Sequence, residues 1–172
     1  MMRQKERNGE MRSQYRTVGL MLLAMAGLFA SPVAAEVDLI ATNTCLADRL
    51  AEGQNPSSCV DQAHQRCLTT PDDMTAAAVL CFSQARETWR IGITAEMERI
   101  TETADDRIAA IAGVELKYDL LANLMQCDRM EELAKVGSDA TGDQISRQRA
   151  QCDASASGLA YLRVRLRAES MQ

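Results

Sequence analysis

Aromatic residues, glycine and proline are scarce in this chain of 172 residues. Phe, Trp and Tyr make up 3% of it, and there are nine glycines and three prolines. β-Sandwiches and β-barrels depend on aromatic and β-branched strand residues and on many turns, so this composition argues against both. Because 47% of the residues are hydrophobic, the chain can still build a core, and its length allows one domain of ordinary size.

The chain also has little that could support catalysis or bind a metal. His64 is the only histidine, and there is no C-x-x-C pair, no Gly-rich phosphate loop and no G-x-S-x-G. His64 and Cys67 could form a Cys–His nucleophile only if Cys67 were a free thiol. Residues 139–143 lack the D-x-D-x-D-G spacing of a calcium loop. We therefore predict a binding protein, not an enzyme, with no catalytic residues, no metal and no cofactor.

The N-terminus has the three parts of a secretory signal peptide. Residues 11–16 read MRSQYR and are basic, residues 18–30 are apolar and uncharged, and residues 31–35 read SPVAA, with small residues at the cleavage positions. The apolar run has 13 residues, too few to cross about 30 Å of hydrocarbon. We predict a signal peptide over 1–35 with Met11 as its start. A single domain over 36–172, periplasmic or secreted and not inserted in the membrane, follows it.

Removal of the signal peptide makes the protein more acidic. Residues 1–35 hold five of the 19 basic and two of the 24 acidic residues, which leaves 14 basic and 22 acidic residues and a net charge of −8. Nucleic acid and anionic lipid repel such a chain, whereas basic proteins attract it. We therefore expect no nucleic-acid partner. Solubility alone is the other interpretation of this charge.

All six cysteines follow the signal peptide, at Cys45, Cys59, Cys67, Cys81, Cys127 and Cys152. An even number in an exported chain indicates disulfides rather than metal or redox chemistry. With Ser58 as an N-cap, residues 59–68 are predicted to form one helix, in which Cys59 and Cys67 lie about 12 Å apart, too far to bond. Two arrangements of the first four cysteines then remain, and spacing does not choose between them. They are Cys45–Cys59 with Cys67–Cys81, and the crossed Cys45–Cys67 with Cys59–Cys81.

The middle of the chain has the periodicity of long helices. Apolar residues recur at steps of three or four, which predicts one buried helical stripe. A single helix over 75–136 would be about 93 Å long, so the polar cluster at 101–106 indicates a turn between two antiparallel helices, at about 74–101 and 106–136. Asp72 and Asp73 are the N-cap candidates for the first. The stripe consists of Ala85, Trp89, Ile93, Met97, Ile100, Ala104, Ile108, Ile111, Val114, Tyr118, Leu121 and Met125.

A last helix is predicted over 143–168, after a polar loop that begins at Gly137. Cys127 and Cys152 flank this loop, so a disulfide between the two helices is expected. Closing a loop of about 15 residues stabilises a fold by about 3 kcal/mol, and closing a longer loop stabilises it somewhat more. Three arginines near the C-terminus suit the helix macrodipole, and a binding patch is the other interpretation of them: Arg163, Arg165 and Arg167. The predicted fold class is all-α, a small disulfide-stapled bundle of about four to five helices with an antiparallel long hairpin at its centre.

One segment resembles a known motif. It reads Cys67-x13-Cys81-x7-Trp89-x3-Ile93-Thr94 and is similar to the pattern C…C…W-D-x-x-L-N-x-x-Y of the lysozyme inhibitor LprI-like family, whose members are small exported helical domains. The resemblance extends over about residues 45–165. Three positions depart from the family pattern: Arg90 stands for Asp, Thr94 for Asn and Met97 for Tyr.

The resemblance implies both a disulfide arrangement and a function. Shorter relatives carry only the pair that matches Cys67 and Cys81, so the resemblance favours Cys67–Cys81, Cys45–Cys59 and Cys127–Cys152. It implies that the protein binds a basic lysozyme and occludes its catalytic cleft. The alternative is a structural or stress-related cell-envelope protein without lysozyme activity, which would bind another envelope protein.

A contact surface on loops is expected, because rigid scaffolds often present binding residues there. The two turns at 53–57 and 137–143 are the candidates. Their residues are Gly53, Asn55, Gly137, Asp139 and Gly142.

Overall fold

Every regular element is helical in the computed structural model, which describes residues 37–170. The six α-helices are α1 (Leu39–Ala51), α2 (Ser58–Ala63), α3 (Gln65–Leu68), α4 (Thr75–Thr103), α5 (Asp106–Gly137) and α6 (Gly142–Glu169), with a 3₁₀ turn at Asp72–Met74 before α4. The predicted all-α, disulfide-stapled fold class is therefore confirmed. The predicted signal peptide over 1–35 lies outside the described residues.

Side-chain caps mark where three of the helices begin. The carboxylate of Asp38 accepts hydrogen bonds from two backbone N–H groups at the start of α1, and that of Asp105 does the same for α5. At the start of α6, Thr141 and Gln144 form a reciprocal capping box. Each cap binds backbone N–H groups that the first turn of a helix leaves without a partner. The turns at 104–105 and 138–141, where α5 and α6 begin, are therefore encoded by the local sequence.

Two sequence predictions about helix starts are wrong. Asp72 and Asp73 belong to the 3₁₀ turn, and α4 begins at Thr75 without a side-chain cap. Ser58 is the first residue of α2 and makes no cap, and the predicted helix over 59–68 is divided at His64 into α2 and α3. His64 lies at this division, and its side chain is in the core, where it is 1% exposed.

Helix α6 holds the long hairpin together. It packs along both α4 and α5, whereas α4 and α5 touch each other only sparsely. Ion pairs reflect the directions of the helices. Arg86 and Glu96 of α4 pair with Asp153 and Arg165 of α6 in the same order along both helices, so α4 runs parallel to α6. Arg163 of α6 binds Asp119 of the antiparallel α5.

The arginine run near the C-terminus therefore pairs across helices. Arg163 contacts Asp119, Arg165 contacts Glu96 and Glu169, and Arg167 contacts Glu115. Each of the three arginines thus binds an acidic residue of α4 or α5, and Arg165 also pairs with Glu169 of its own helix. Arg167 lies in the last turn of α6, where a basic side chain also suits the helix macrodipole.

Close approach of helices in the core depends on glycine. A Cβ atom on Gly158 of α6 would lie 2.7 Å from Cγ1 of Val60 and 3.1 Å from the indole ring of Trp89. A Cβ atom on Gly92 of α4 would lie 2.8 Å from the ring of Tyr161. These two glycines let α2 and the large rings of the core pack directly against helix backbone.

Each of the three disulfides joins two helices that follow one another in the chain. They are Cys45–Cys59 between α1 and α2, Cys67–Cys81 between α3 and α4, and Cys127–Cys152 between α5 and α6. These are the pairs that the family resemblance implied, and the crossed arrangement is not formed. Disulfides of this number are typical of proteins that fold in an oxidising compartment.

The predicted apolar stripe is buried along α4 but not along α5. Ala85, Trp89, Ile93 and Ile100 lie in the core. On α5, the five side chains that we call the outer stripe are between 38% and 63% exposed: Ile111, Val114, Tyr118, Leu121 and Met125. The sequence prediction is wrong here because α5 has a second apolar face, and that face packs on α6. It contains Ala112, Leu116, Leu120 and Cys127.

Candidate binding groove between α4 and α5

Trp89, the aromatic residue of the motif, is a core residue. Its side chain is fully buried, and its ring centroid lies 5.3 Å from that of Tyr161. The indole N–H donates a hydrogen bond of 2.9 Å to Nε2 of His64. Because both ring faces and the N–H group are occupied by the protein itself, Trp89 supports the fold and does not stack on a ligand.

His64 is held neutral inside the core. Burial lowers its pKa to about 4, against a smaller opposite effect of the Asp61 charge. Since Nε2 accepts from Trp89, the ring proton is on Nδ1. Cys67 is bridged to Cys81, so it offers no thiolate to His64. The Cys–His pair considered from the sequence therefore has a structural role.

Three other motif positions, Ile93, Thr94 and Met97, line an open groove between α4 and α5. Its volume is about 470 Å³. Ile93 is nearly buried, and Met97 and Leu116 are partly buried hydrophobic residues that pack against the core. These side chains form an apolar floor. The full lining is Ile93, Thr94, Met97, Glu98, Thr101, Glu102 and Leu116.

Two carboxylates border this groove without a counter-charge. Glu98 and Glu102 lie one helical turn apart, and neither forms an ion pair with any residue among 37–170. Glu96, on the neighbouring face of α4, shows the contrast: it is nearly buried and contacts both Arg99 and Arg165. The negative charge of the groove is therefore available to a partner.

The two threonines of the groove are already engaged as donors. Thr94 Oγ1 donates to the carbonyl oxygen of Arg90, and Thr101 Oγ1 donates to that of Met97. Their oxygen atoms can still accept hydrogen bonds. With the two carboxylates, the groove presents acceptors above an apolar floor. A lysine or arginine side chain combines an apolar stem with a donating cationic head, so it is the chemical group that this arrangement suits.

The loop residues proposed from the sequence lie elsewhere. Gly53 follows α1 with a φ of 65°, and the side chain of Asn55 accepts a hydrogen bond from the backbone of Ser57 in the same turn. Gly137 ends α5 and Gly142 begins α6, with an exposed Asp139 between them. None of the five residues lines the groove. The structure thus offers a third candidate surface beside the two turns.

Only part of this groove was expected from the sequence. The motif pointed to Ile93, Thr94 and Met97, but Leu116 was not among the positions of the predicted stripe. Glu98 and Glu102 were not singled out either. Their spacing of four residues beside the apolar stripe is a usable signal, because residues i and i+4 share one face of a helix.

Two further features of residues 37–170 bear on the chemistry. Among these residues no group of three or more His, Cys, Asp and Glu side chains is arranged to hold a metal ion. No helix in this part of the chain combines the length and the hydropathy that crossing a membrane requires.

Comparison of the chain with protein-family models, with curated proteins and with solved structures finds no match. The likeness to lysozyme inhibitors therefore depends on the motif residues alone, and we treat it below as a proposal.

Proposed function

We propose that this chain is an exported binding protein that captures a basic protein, as lysozyme inhibitors do, through the groove between α4 and α5. One observation carries the proposal. Motif positions Thr94 and Met97 lie in an apolar groove whose border has two carboxylates, Glu98 and Glu102, without an ion-pair partner among the described residues. We further propose that the protein acts in the periplasm or outside the cell, after removal of residues 1–35.

The proposed contact is a lysine or arginine of the partner. Its stem would pack on Met97 and Leu116, and its charged head would bind Glu98 and Glu102. The net charge of −8 over residues 36–172 would steer a basic partner toward the protein. The three disulfides, which join the helices in pairs, would limit the ordering cost of binding.

A lysozyme is the proposed partner because of the motif. Lysozymes of the common animal type are basic and have acidic residues in the catalytic cleft. A rigid acidic protein bound beside that cleft would exclude the polysaccharide substrate without chemical change to the enzyme. The proposal therefore requires no catalytic residue in this chain.

The test is lysozyme activity in the presence of the full chain, exported by a bacterial host so that the disulfides form. Animal-type and bacterial lysozymes should be assayed at low and at physiological salt. We expect stoichiometric inhibition of a basic lysozyme that weakens as salt is raised, because salt screens exposed charges. Absence of inhibition across the panel, with a folded helical protein, would reject the lysozyme assignment.

Two double variants locate the contact. Glu98→Gln with Glu102→Gln should raise the concentration needed for half-inhibition about tenfold, since about 1.4 kcal/mol of charge-assisted contact would be lost. Asp139→Asn with Asp143→Asn removes the same charge from the turn between α5 and α6 and should change it less than about threefold. The reverse result would place the contact on the turn and contradict the groove.

A second candidate function has an observation in its favour. The exposed outer stripe of α5 is typical of a protein that docks through a helix face. A structural or stress-related envelope protein without lysozyme activity would use such a face. Salt screens exposed charges, so capture through Glu98 and Glu102 should weaken as salt is raised, whereas apolar docking should not. Salt dependence therefore separates the two functions.

A further inference from the structure

The outer stripe of α5 is too large and too regular to be explained by scattered surface residues. Its five side chains follow one another at steps of three, four, three and four: Ile111, Val114, Tyr118, Leu121 and Met125. Together they expose roughly 500 Å² on a single helix, in the upper part of the range of the largest apolar patches on monomers. Strict a/d spacing of this kind is typical of a seam that packs against another helix.

When the same a/d spacing is continued beyond both ends of the stripe, it falls on two charged residues that form no ion pair among the described residues. Arg107 lies four residues before Ile111, and Glu132 lies seven residues after Met125, with Asp128 between them. Arg107 and Glu132 are exposed, and neither forms an ion pair with any residue of the described chain. The stripe therefore has a positive end and a negative end, about 37 Å apart.

We propose that the outer stripe is the interface of a symmetric dimer, in which α5 packs antiparallel against α5 of a second copy. A two-fold axis between residues 119 and 120 places Tyr118 opposite Leu121 of the second copy, and Val114 opposite Met125. Each a position then meets a d position, as knobs-into-holes packing requires. The symmetry repeats every such contact.

The charges at the ends of the stripe favour an antiparallel pairing of the two copies over a parallel one. In this register Arg107 lies opposite Glu132 of the second copy, and the two-fold axis produces the pair twice. In a parallel pairing Arg107 would face Arg107 and Glu132 would face Glu132, so both ends would repel. Ile111 faces Asp128, whose carboxylate is held by Arg149 of its own chain. That layer contributes least.

The area is sufficient for a specific dimer. Two copies of the stripe would bury about 1,000 Å² before the flanking residues are counted, which is where specific interfaces begin. The core-facing side of α5, which includes Leu116 of the groove, points away from the stripe. The dimer would therefore leave the groove between α4 and α5 open and does not depend on its role in binding a basic protein. It would cover the outer stripe, so it excludes the second candidate function, in which another envelope protein binds there.

The first experiment is sedimentation analysis of the exported, oxidised full chain between about 1 and 100 μM. We expect a reversible monomer–dimer equilibrium with a dissociation constant in the micromolar range for an interface of this size. Leu121→Glu, which introduces a charge at the centre of the stripe, should raise that constant at least about 100-fold, a change of 2.7 kcal/mol or more. A wild-type protein that stays monomeric at 100 μM would overturn the proposal.

A matched control separates the stripe from general surface hydrophobicity. Leu80 of α4 is 59% exposed and Leu121 is 48% exposed, so Leu80→Glu makes the same change outside the stripe. It should alter the dimer dissociation constant less than about threefold. An equal effect of the two variants would contradict an interface on α5.

Charge reversal tests the orientation. Arg107→Glu alone and Glu132→Arg alone should each weaken the dimer about tenfold, because each places like charges opposite one another twice. The double variant Arg107→Glu with Glu132→Arg should return the dissociation constant to within about threefold of the wild-type value. Failure of this rescue would exclude the antiparallel register. Far-ultraviolet circular dichroism and thermal melting of each variant verify that the fold is retained.

Discussion

A single hydrogen bond joins two residues that lie 25 positions apart in the chain. Trp89 has the only indole group of the protein and His64 its only imidazole. In the core each satisfies a polar atom of the other, which an apolar substitute could not do. The ring of His64 also packs edge-on against Phe82. His64 lies at the division between α2 and α3.

The pKa of His64 predicts how stability depends on pH. Its unfolded value is near 6.5 and its folded value is about 4, because burial penalises the charged ring. The stabilisation is complete above pH 6.5 and is lost as pH falls toward 4, by about 3 kcal/mol in total. Denaturant unfolding at pH 7.5, 5.5 and 4.5 should show this decrease.

His64→Gln is the control for this pH dependence. The glutamine side chain does not titrate, and its amide oxygen can accept from Trp89. Between pH 6.5 and 4.5 the free energy of unfolding of this variant should change much less than that of the wild type. Glu87 and Glu131 have pKa values lowered by their partners Arg90 and Lys135, so their contribution is lost only at more acidic pH. Equal slopes in both proteins would mean that folding does not lower the pKa of His64.

At this scale the sequence predicted the environment of Trp89 but not its partner. Its position on the apolar stripe of α4 placed it in the core, and it is fully buried. The contact with His64 depends on where α2 and α3 lie against α4. No local pattern encodes that position. The same holds for Glu98 and Glu102, whose lack of a counter-ion is a property of the assembled helices.

At the scale of elements, glycines distinguish the tight helix contacts from the loose ones. Gly158→Ala should lower the free energy of unfolding by about 1–3 kcal/mol, because the added methyl group would overlap Val60 and press on Trp89. Gly113→Ala should raise it by about 0.5–1 kcal/mol, since alanine is the better helix former. The nearest atom to a Cβ at Gly113 is Cε of Met97, at 3.8 Å.

Denaturant unfolding of the two glycine variants at neutral pH checks these opposite signs. The two substitutions are chemically identical and both lie inside long helices. Only the space around the added methyl group differs. A Gly158→Ala protein as stable as the wild type would mean that α2 does not sit on α6 at this point.

The predicted elements were right in number and direction for the long helices and wrong for the short ones. The turn near residue 104 and the helices on either side of it follow from apolar periodicity and from the cap at Asp105. Helix α5 was assigned one apolar face, although it has two. Periodicity reveals that a face is apolar, but a buried face and an exposed one have the same pattern.

At the scale of the whole molecule, the disulfides and the core packing stabilise different contacts between helices. The disulfides join α1 to α2, α3 to α4, and α5 to α6. The extensive contact between α4 and α6 has no disulfide and depends on packing around Trp89 and Tyr161. Because α5 touches α4 only sparsely, its attachment to α6 is the one that a disulfide protects most.

Removal of the last disulfide should therefore loosen α5 selectively. Cys127→Ala with Cys152→Ala opens a loop closed over 25 positions, which should cost about 3.5 kcal/mol of unfolding free energy in the chain-entropy model. Hydrogen exchange should show faster exchange along α5 than along α4. Cys45→Ala with Cys59→Ala is the control: it should cost about 3 kcal/mol and leave exchange in α5 unchanged. Uniform loosening of all helices by the first variant would contradict this separation.

The sequence by itself determined the all-α class, the long helices and the polar turns between them, because periodicity and caps act over a few residues. It also determined that six cysteines would be bridged, although the pairing of the first four needed a family resemblance. The tertiary structure decided which apolar face of α5 is buried, which arginines meet which acids, and that Glu98 and Glu102 border a groove without partners. These three features depend on how α6 lies between α4 and α5. Contacts between residues far apart in the chain fix that position, so no short stretch of sequence encodes it.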